Sequence, residues 1–123
     1  MSTNRKGRRK PNDRGAVTVE SAVALAAFAL FLGLTLCGMA AAIDQVRCVD
    51  AAREAARLTA RGEPEEGKKA AARIAPAHAE ITINTKGEHI EVDIHASPAS
   101  GLLPGIRLHA EAFAVREPED PAG

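Results

Sequence analysis

The 23 residues from Ser21 to Ile43, SAVALAAFALFLGLTLCGMAAAI, hold no charged side chain and are closed by Glu20 on one side and Asp44 on the other. As a helix rising 1.5 Å per residue the run covers roughly 34 Å, enough for a hydrocarbon core of about 30 Å. A helix that is apolar on all sides needs either a large protein or a bilayer around it. With 123 residues in the whole chain, too little remains to wrap such a helix. The run is therefore expected to enter a membrane.

Charge on either side of the run sets the expected orientation. Lysine plus arginine and aspartate plus glutamate both total 16, so the net charge is zero, but the balance is uneven. Residues 1–15 hold six basic side chains (Arg5, Lys6, Arg8, Arg9, Lys10, Arg14) and one acid, Asp13, a net of +5. Residues 16–123 hold ten basic and fifteen acidic side chains, a net of −5. After Ile43 the nearest basic residues are only four, Arg47, Arg53, Arg57 and Arg61. The bias keeps the N-terminus in the cytoplasm and exports the C-terminal part. A basic leader on an otherwise acidic chain points to targeting, not to nucleic-acid binding. The chain has no Trp or Tyr and only three Phe. That composition argues against base-stacking platforms and aromatic-lined ligand pockets.

Four processing fates fit a run placed this early. Ala40-Ala41-Ala42 offers a signal-peptidase site, although the apolar run before it is long. Leu36 before Cys37 suits a lipoprotein poorly, and Arg8-Arg9 is followed by Lys10-Pro11-Asn12 instead of apolar residues. The fourth fate is cleavage ahead of the run. The basic leader ends in Gly15, four uncharged residues follow from Ala16 to Val19, and then comes Glu20. Cleavage between Gly15 and Ala16 would remove the leader charge and free an α-amino group on Ala16. A carboxylate one turn into the helix suits the positive end of the helix dipole. A carboxylate inside a bilayer is costly and usually has a partner.

This leader, glycine and glutamate resemble the type III signal of type IV pilin-like proteins, which a prepilin peptidase cuts after the glycine. In that family the glutamate is the fifth residue of the mature chain, as Glu20 is if Ala16 becomes the first. The stretch Arg47-Cys48-Val49-Asp50-Ala51-Ala52-Arg53-Glu54-Ala55-Ala56-Arg57 further resembles the region after the membrane helix in TadE-like proteins of high-GC Gram-positive bacteria. These are minor pseudopilins of the tight-adherence (Flp) pilus, a type IVb and type II secretion-like system. Where they commonly have an aromatic residue after the glutamate, this chain has Ser21. The resemblance implies a processing site at Gly15 and Ala16, an assembly role for Glu20, and a membrane segment from Ser21 to Ile43. It implies as partners the prepilin peptidase, the major Flp pilin, other Tad pseudopilins, the inner-membrane assembly platform and the lipid bilayer, with no nucleic acid.

No Gly or Pro occurs from Met39 to Arg61, so the helix is expected to continue to about Arg61 and stop at Gly62. Arg47, Asp50, Glu54, Arg57 and Arg61 recur at spacings of three and four, one solvated face. Glu63 to Gly67 reads as an acidic loop, and Lys68 to Ala75 as a short second helix ended by Pro76. The period then changes to two. Ile81 and Ile83 mark one strand, and Ile90, Val92 and Ile94 a second, with a turn at Lys86-Gly87. Ile106 to Arg116 is expected as a third strand, with a bulge near Ala110–Ala112 to bring Phe113 and Val115 into phase.

The fold class expected is therefore α+β. A long N-terminal membrane-spanning helix, the lollipop plan of pilin-like proteins, precedes a short helix and a small three-stranded antiparallel sheet. Residues 1–15 form the basic cytoplasmic leader and residues 16–61 the long helix, transmembrane over 21–43. Residues 62–116 form an extracytoplasmic head, and 117–123 a disordered tail. So small a head is marginal by itself, and its sheet is expected to pack on the aliphatic side of the helix after Val46.

Candidate chemistry is sparse. Two cysteines do not make a disulfide scaffold. Cys37 and Cys48 lie about 16 Å apart on one helix, too far for a bond between them. Cys48 is either a small packing residue or a thiol that pairs between subunits. His78, His89, His95 and His109 show no zinc-binding spacing. His89, Glu91, Asp93 and His95 share the polar face of one strand, where an exposed face is the expected reading and a weak metal site the lesser one. No metal, no cofactor and no enzyme activity are expected. Two functions remain open. One is a TadE-like minor pseudopilin, cleaved by a prepilin peptidase and assembling a thin Flp pilus for adhesion or secretion. The other is a secreted or single-pass membrane-anchored small binding module with a Sec signal sequence. The expected location is the cell membrane, crossed once with the N-terminus cytoplasmic and the C-terminal part outside, and the resemblance adds the pilus as a second location.

Overall fold

The computed structural model describes Ser2, residues 13–101 and residues 103–118. Helix α1 runs without interruption over Asp13–Ala60, α2 over Pro64–Ile74, and strands β1, β2 and β3 over Glu80–Lys86, His89–Ala96 and Leu108–Val115. The fold is α+β, with a long apolar N-terminal helix, a short second helix and one antiparallel sheet in the order β1-β2-β3. The chain divides into two compact units, one ending at Thr35 and the other beginning at Leu36.

The first unit is helical from Asp13, three residues before the expected start. Every side chain from Asp13 to Leu36 is exposed. Val17, Val19, Val23, Leu25, Phe28, Leu30, Phe31 and Leu34 are all more than half exposed. This helix is long and apolar enough to cross a membrane.

The second unit has a single hydrophobic core. Its helical side is Cys48, Ala51, Ala52, Ala55, Ala56 and Ala60, joined by Ala71 of α2. Its sheet side is Ile90, Val92, Ile94 and Ala96 of β2 with Leu108 and Ala110 of β3, flanked by the half-buried Ile81 and Ile83 of β1. The sheet thus packs where expected, on the small-residue side of the helix beyond Val46. The charged residues Arg47, Asp50, Arg53, Arg57 and Arg61 lie on the exposed side. There Arg57 holds Glu54 through two hydrogen bonds, of 2.6 and 2.9 Å. That pairing with Arg57 lowers the Glu54 carboxyl below its ordinary range.

Gly62 ends α1 as its position suggested. Its φ of +86° is left-handed, its N–H donates to Thr59 O at 3.0 Å, and the Glu63 N–H donates to Leu58 O at 3.0 Å. This pair of bonds is a Schellman cap. The expected acidic loop before α2 is instead the first turn of that helix. Pro64 supplies its preset φ at the first position, and Glu65 and Glu66 face the positive end of the dipole. Gly67 lies inside α2 because α1 is close. A β-carbon there would sit 2.9 Å from Ala55 O and 3.1 Å from Thr59 Oγ1.

The expected bulge in β3 is absent, and the pairing of β2 with β3 is regular from His89↔Val115 to Ala96↔Leu108. The core phase is carried by Leu108, Ala110, Ala112 and Ala114. Phe113 and Val115 point outward, 71 % and 58 % exposed. Ala110 is buried and Ala112 and Ala114 are half-buried, so alanines continue the inner face of the sheet. Ile106, expected to open this strand, precedes it and is 50 % exposed. Leu102 and residues 119–123 lie outside the described residues. At the start of the expected tail, the Glu117 N–H donates to Ala60 O at 3.0 Å, tying the chain end to the end of α1.

Two substitutions test this packing through hydrogen-exchange protection of the β2 amides. Gly67→Ala sets a helix-propensity gain of about 1 kcal/mol against an overpacking cost of about 1–3 kcal/mol. The obstructing atom is a backbone carbonyl, so we expect net destabilisation; a gain in protection would show that the helices move apart freely. Thr59 is 2 % exposed, and its Oγ1 has no hydrogen-bond partner among the described residues. Thr59→Val should raise protection by about 1 kcal/mol, because it removes a desolvated hydroxyl and keeps the shape.

Candidate functional site

The residues singled out in the sequence fall in three separate places. Gly15, Ala16 and Glu20 lie in the opening turns of α1, all exposed. Gly15 has open space where a β-carbon would stand, and Thr18 Oγ1 donates to Arg14 O at 2.9 Å. Ser21 and Ile43, the ends of the uncharged run, are both exposed on the same helix.

Cys48 lies in the core of the second unit with no exposed surface. Burial, helped by the charge of Asp44, raises its thiol pKa above the ordinary value. A protonated, enclosed thiol behaves as a small apolar side chain. Of the two readings of Cys48, packing fits this environment. Disulfide exchange with another subunit would first require the core to open.

The outer face of the sheet gathers most of the remaining polar chemistry. His89, Glu91, Asp93 and His95 share that face, as the alternation in β2 implied, but they are not drawn together along the strand. The partners come from β3 instead. The register sets Asp93 opposite Glu111 and His95 opposite His109. The two imidazoles stack with centroids 4.4 Å apart and planes 10° from parallel. His109 Nε2 lies 3.4 Å from Asp93 Oδ1 and 3.4 Å from Glu111 Oε1. Gln45 Nε2 of α1 donates to His109 O at 3.0 Å and holds this part of β3 in position. Sequence reasoning passed over His109 and Glu111 as a site. The signal was the His-x-Glu spacing of β3, which puts both on one face; only the β2–β3 register adds Asp93.

Beside this cluster, His78, Glu80, His95, Ser97 and Arg107 line an open cleft of roughly 200 Å³. His78 holds a left-handed backbone, with φ of 61°, at the entry to β1. The cleft is polar and shallow. Farther along the same face, Phe113 opposite Glu91 and Val115 opposite His89 leave an apolar patch exposed.

No protein-family model matches the chain, and no solved structure matches it. A curated protein does. It is named apoptosis inhibitor Rv3655c, from Mycobacterium tuberculosis (strain ATCC 25618 / H37Rv), and it is 43 % identical over 100 residues. The alignment spans 81 % of this chain and 78 % of that protein. Likeness of this extent over most of both proteins shows that the chain belongs to the same family as the mycobacterial Rv3655c protein.

Proposed function

We propose that the chain is a TadE-like minor pseudopilin, cut between Gly15 and Ala16 by a prepilin peptidase, with its C-terminal unit outside the cell. It takes part with the major Flp pilin, other Tad pseudopilins and the inner-membrane assembly platform in building a thin pilus for adhesion or secretion. The observation that carries this reading is the order of parts along α1. Gly15 and, five residues on, the carboxylate of Glu20 in its exposed opening turns lead into an uncovered apolar run, and the same helix later supplies one side of a folded core.

The mechanism follows from the cost of charge in lipid. After cleavage Ala16 carries an ammonium group and Glu20 a carboxylate, both at the start of an apolar helix. Between staggered subunits the amine of one meets the carboxylate of the next, with lipid and protein excluding water. Removing one partner of such a desolvated pair costs several kcal/mol, because the other is left unpaired.

The name of the mycobacterial relative, an apoptosis inhibitor, supports a second reading. In it the chain is a secreted or single-pass membrane-anchored binding module that acts outside the cell. The buried core begins at Cys48, so cleavage after Ala42, like cleavage after Gly15, would leave every buried core residue in the product.

The mature N-terminus separates the two. N-terminal sequencing of membrane-derived protein should give Ala16, and Gly15→Arg should keep the leader attached, seen as loss of the peptidase-dependent mobility shift. An N-terminus at Ile43, or an uncut Met1 or Ser2, would favour the binding module. Glu20→Ala should insert and be cleaved normally, since it removes a charge from an apolar helix. Its co-purification with the major pilin should nevertheless fall by at least about tenfold, as loss of a buried ion-pair partner implies. Assembly at the wild-type level would reduce Glu20 to a helix-start acid.

A further inference from the structure

The outer face of the sheet has an electrostatic conflict built into its register. Asp93 and Glu111 are directly opposed, and like charges in that relation destabilise a sheet. Among the described residues, no lysine or arginine forms an ion pair with either; the nitrogen that reaches both is His109 Nε2, at 3.4 Å from each. That separation is too long for a good N–H···O hydrogen bond, which lies at about 2.7–3.2 Å. It is the separation expected of two ligands on one metal. Nitrogen and oxygen ligands about 2.0–2.1 Å from a tetrahedral centre stand roughly 3.3–3.4 Å apart. One ligand atom from each of Asp93, His109 and Glu111 lies within 4.8 Å of the other two.

We propose that the chain binds a divalent transition-metal ion, of which Zn²⁺ is the best fit, through His109 Nε2, Asp93 Oδ1 and Glu111 Oε1. One imidazole and two carboxylates suit zinc and its first-row neighbours, whereas calcium and magnesium favour all-oxygen shells with more ligands. A cation shared by Asp93 and Glu111 turns their repulsion into attraction. The ligands stand on paired strands, which fixes their spacing more firmly than a loop would. Stacking of His95 and the hydrogen bond from Gln45 to the His109 carbonyl restrain the imidazole and its strand. Asp93, with 21 % of its side chain exposed, is the most enclosed ligand, while His109 and Glu111 at 43 % and 46 % leave the outer side open. Three protein ligands leave a fourth tetrahedral position, which water fills.

The test uses the full chain in detergent micelles, without an affinity tag and freed of metal by a chelator. Zn²⁺ is titrated calorimetrically and followed through the imidazole nitrogen resonances. A single saturable site that shifts His109 Nε2, and that millimolar Mg²⁺ does not displace, is expected. His109→Gln, Asp93→Asn and Glu111→Gln should each weaken Zn²⁺ binding by at least the roughly 10–100-fold that even outer-shell losses cause. His89→Gln on the same face should bind as wild type does. The near-isosteric Asp93→Asn keeps the test decisive should His109→Gln disturb the strand, with backbone amide spectra confirming the fold of each variant. Absence of saturable binding would overturn the proposal. So would unchanged affinity in His109→Gln and Asp93→Asn, or affinity that depends on His78 and His95 instead.

Discussion

The second unit depends on one contact, the alanine face of α1 against the β-branched face of β2. Ala51, Ala52, Ala55 and Ala56 present almost no side-chain bulk and share one buried core with Ile90, Val92 and Ile94. Burying each large side chain is worth about 1.5–3 kcal/mol, and β2 supplies the largest of them. The rest of the unit is fitted around this contact. β3 continues the buried face with alanine and sends its Phe and Val outward. Gly67 lets α2 pass within contact of Ala55 and Thr59. The Schellman cap at Gly62 turns the chain where the alanine face ends. A head of this size has little core of its own, so the later part of α1 is a structural member of the head and not a stalk.

One helix therefore serves two environments. Up to Leu36 its side chains are exposed, and from Val17 onward half of them are large and apolar. Beyond Cys48 the buried side chains are small, Val49 and Leu58 are half-buried, and the charges are confined to the other face. Large side chains all round suit a solvent of lipid tails or of neighbouring helices. Small ones on a single face suit close contact with a sheet. The change in side-chain size along the helix marks where each environment begins.

The outer sheet face follows different rules, because no core demand acts on it. Its residues are paired by register alone, and the pairs include two opposed carboxylates and two opposed histidines. The opposed carboxylates oppose the pairing of the strands, while the two histidines stack on each other. Polar groups placed against the interests of the sheet are reasonable carriers of binding chemistry. The exposed Phe113 and Val115 add an apolar area to the same face.

Much was legible in the sequence. The uncharged run, the helix stop at Gly62, the alternation of β1 and β2 and the turn at Gly87 rest on local chemistry, so each could be read from a few neighbouring residues. The charged stripe from Arg47 to Arg61 also identified the exposed side of the helix, and so by elimination the side that meets the sheet. Contacts between distant segments could not be read this way. Pro64-Glu65-Glu66-Gly67 has the composition of a loop and becomes a helix because its glycine fits against Ala55. Phe113 and Val115 have the composition of core and are exposed because β3 keeps a regular register, which turns them to the outer face. His109 and Glu111 join Asp93 only through pairing across strands that are 16 residues apart at His109 and Asp93. Periodicity within a segment reports which face a side chain shares. Which side chains meet across that face is decided by register and by the distance between elements, and these exist only once the chain has folded.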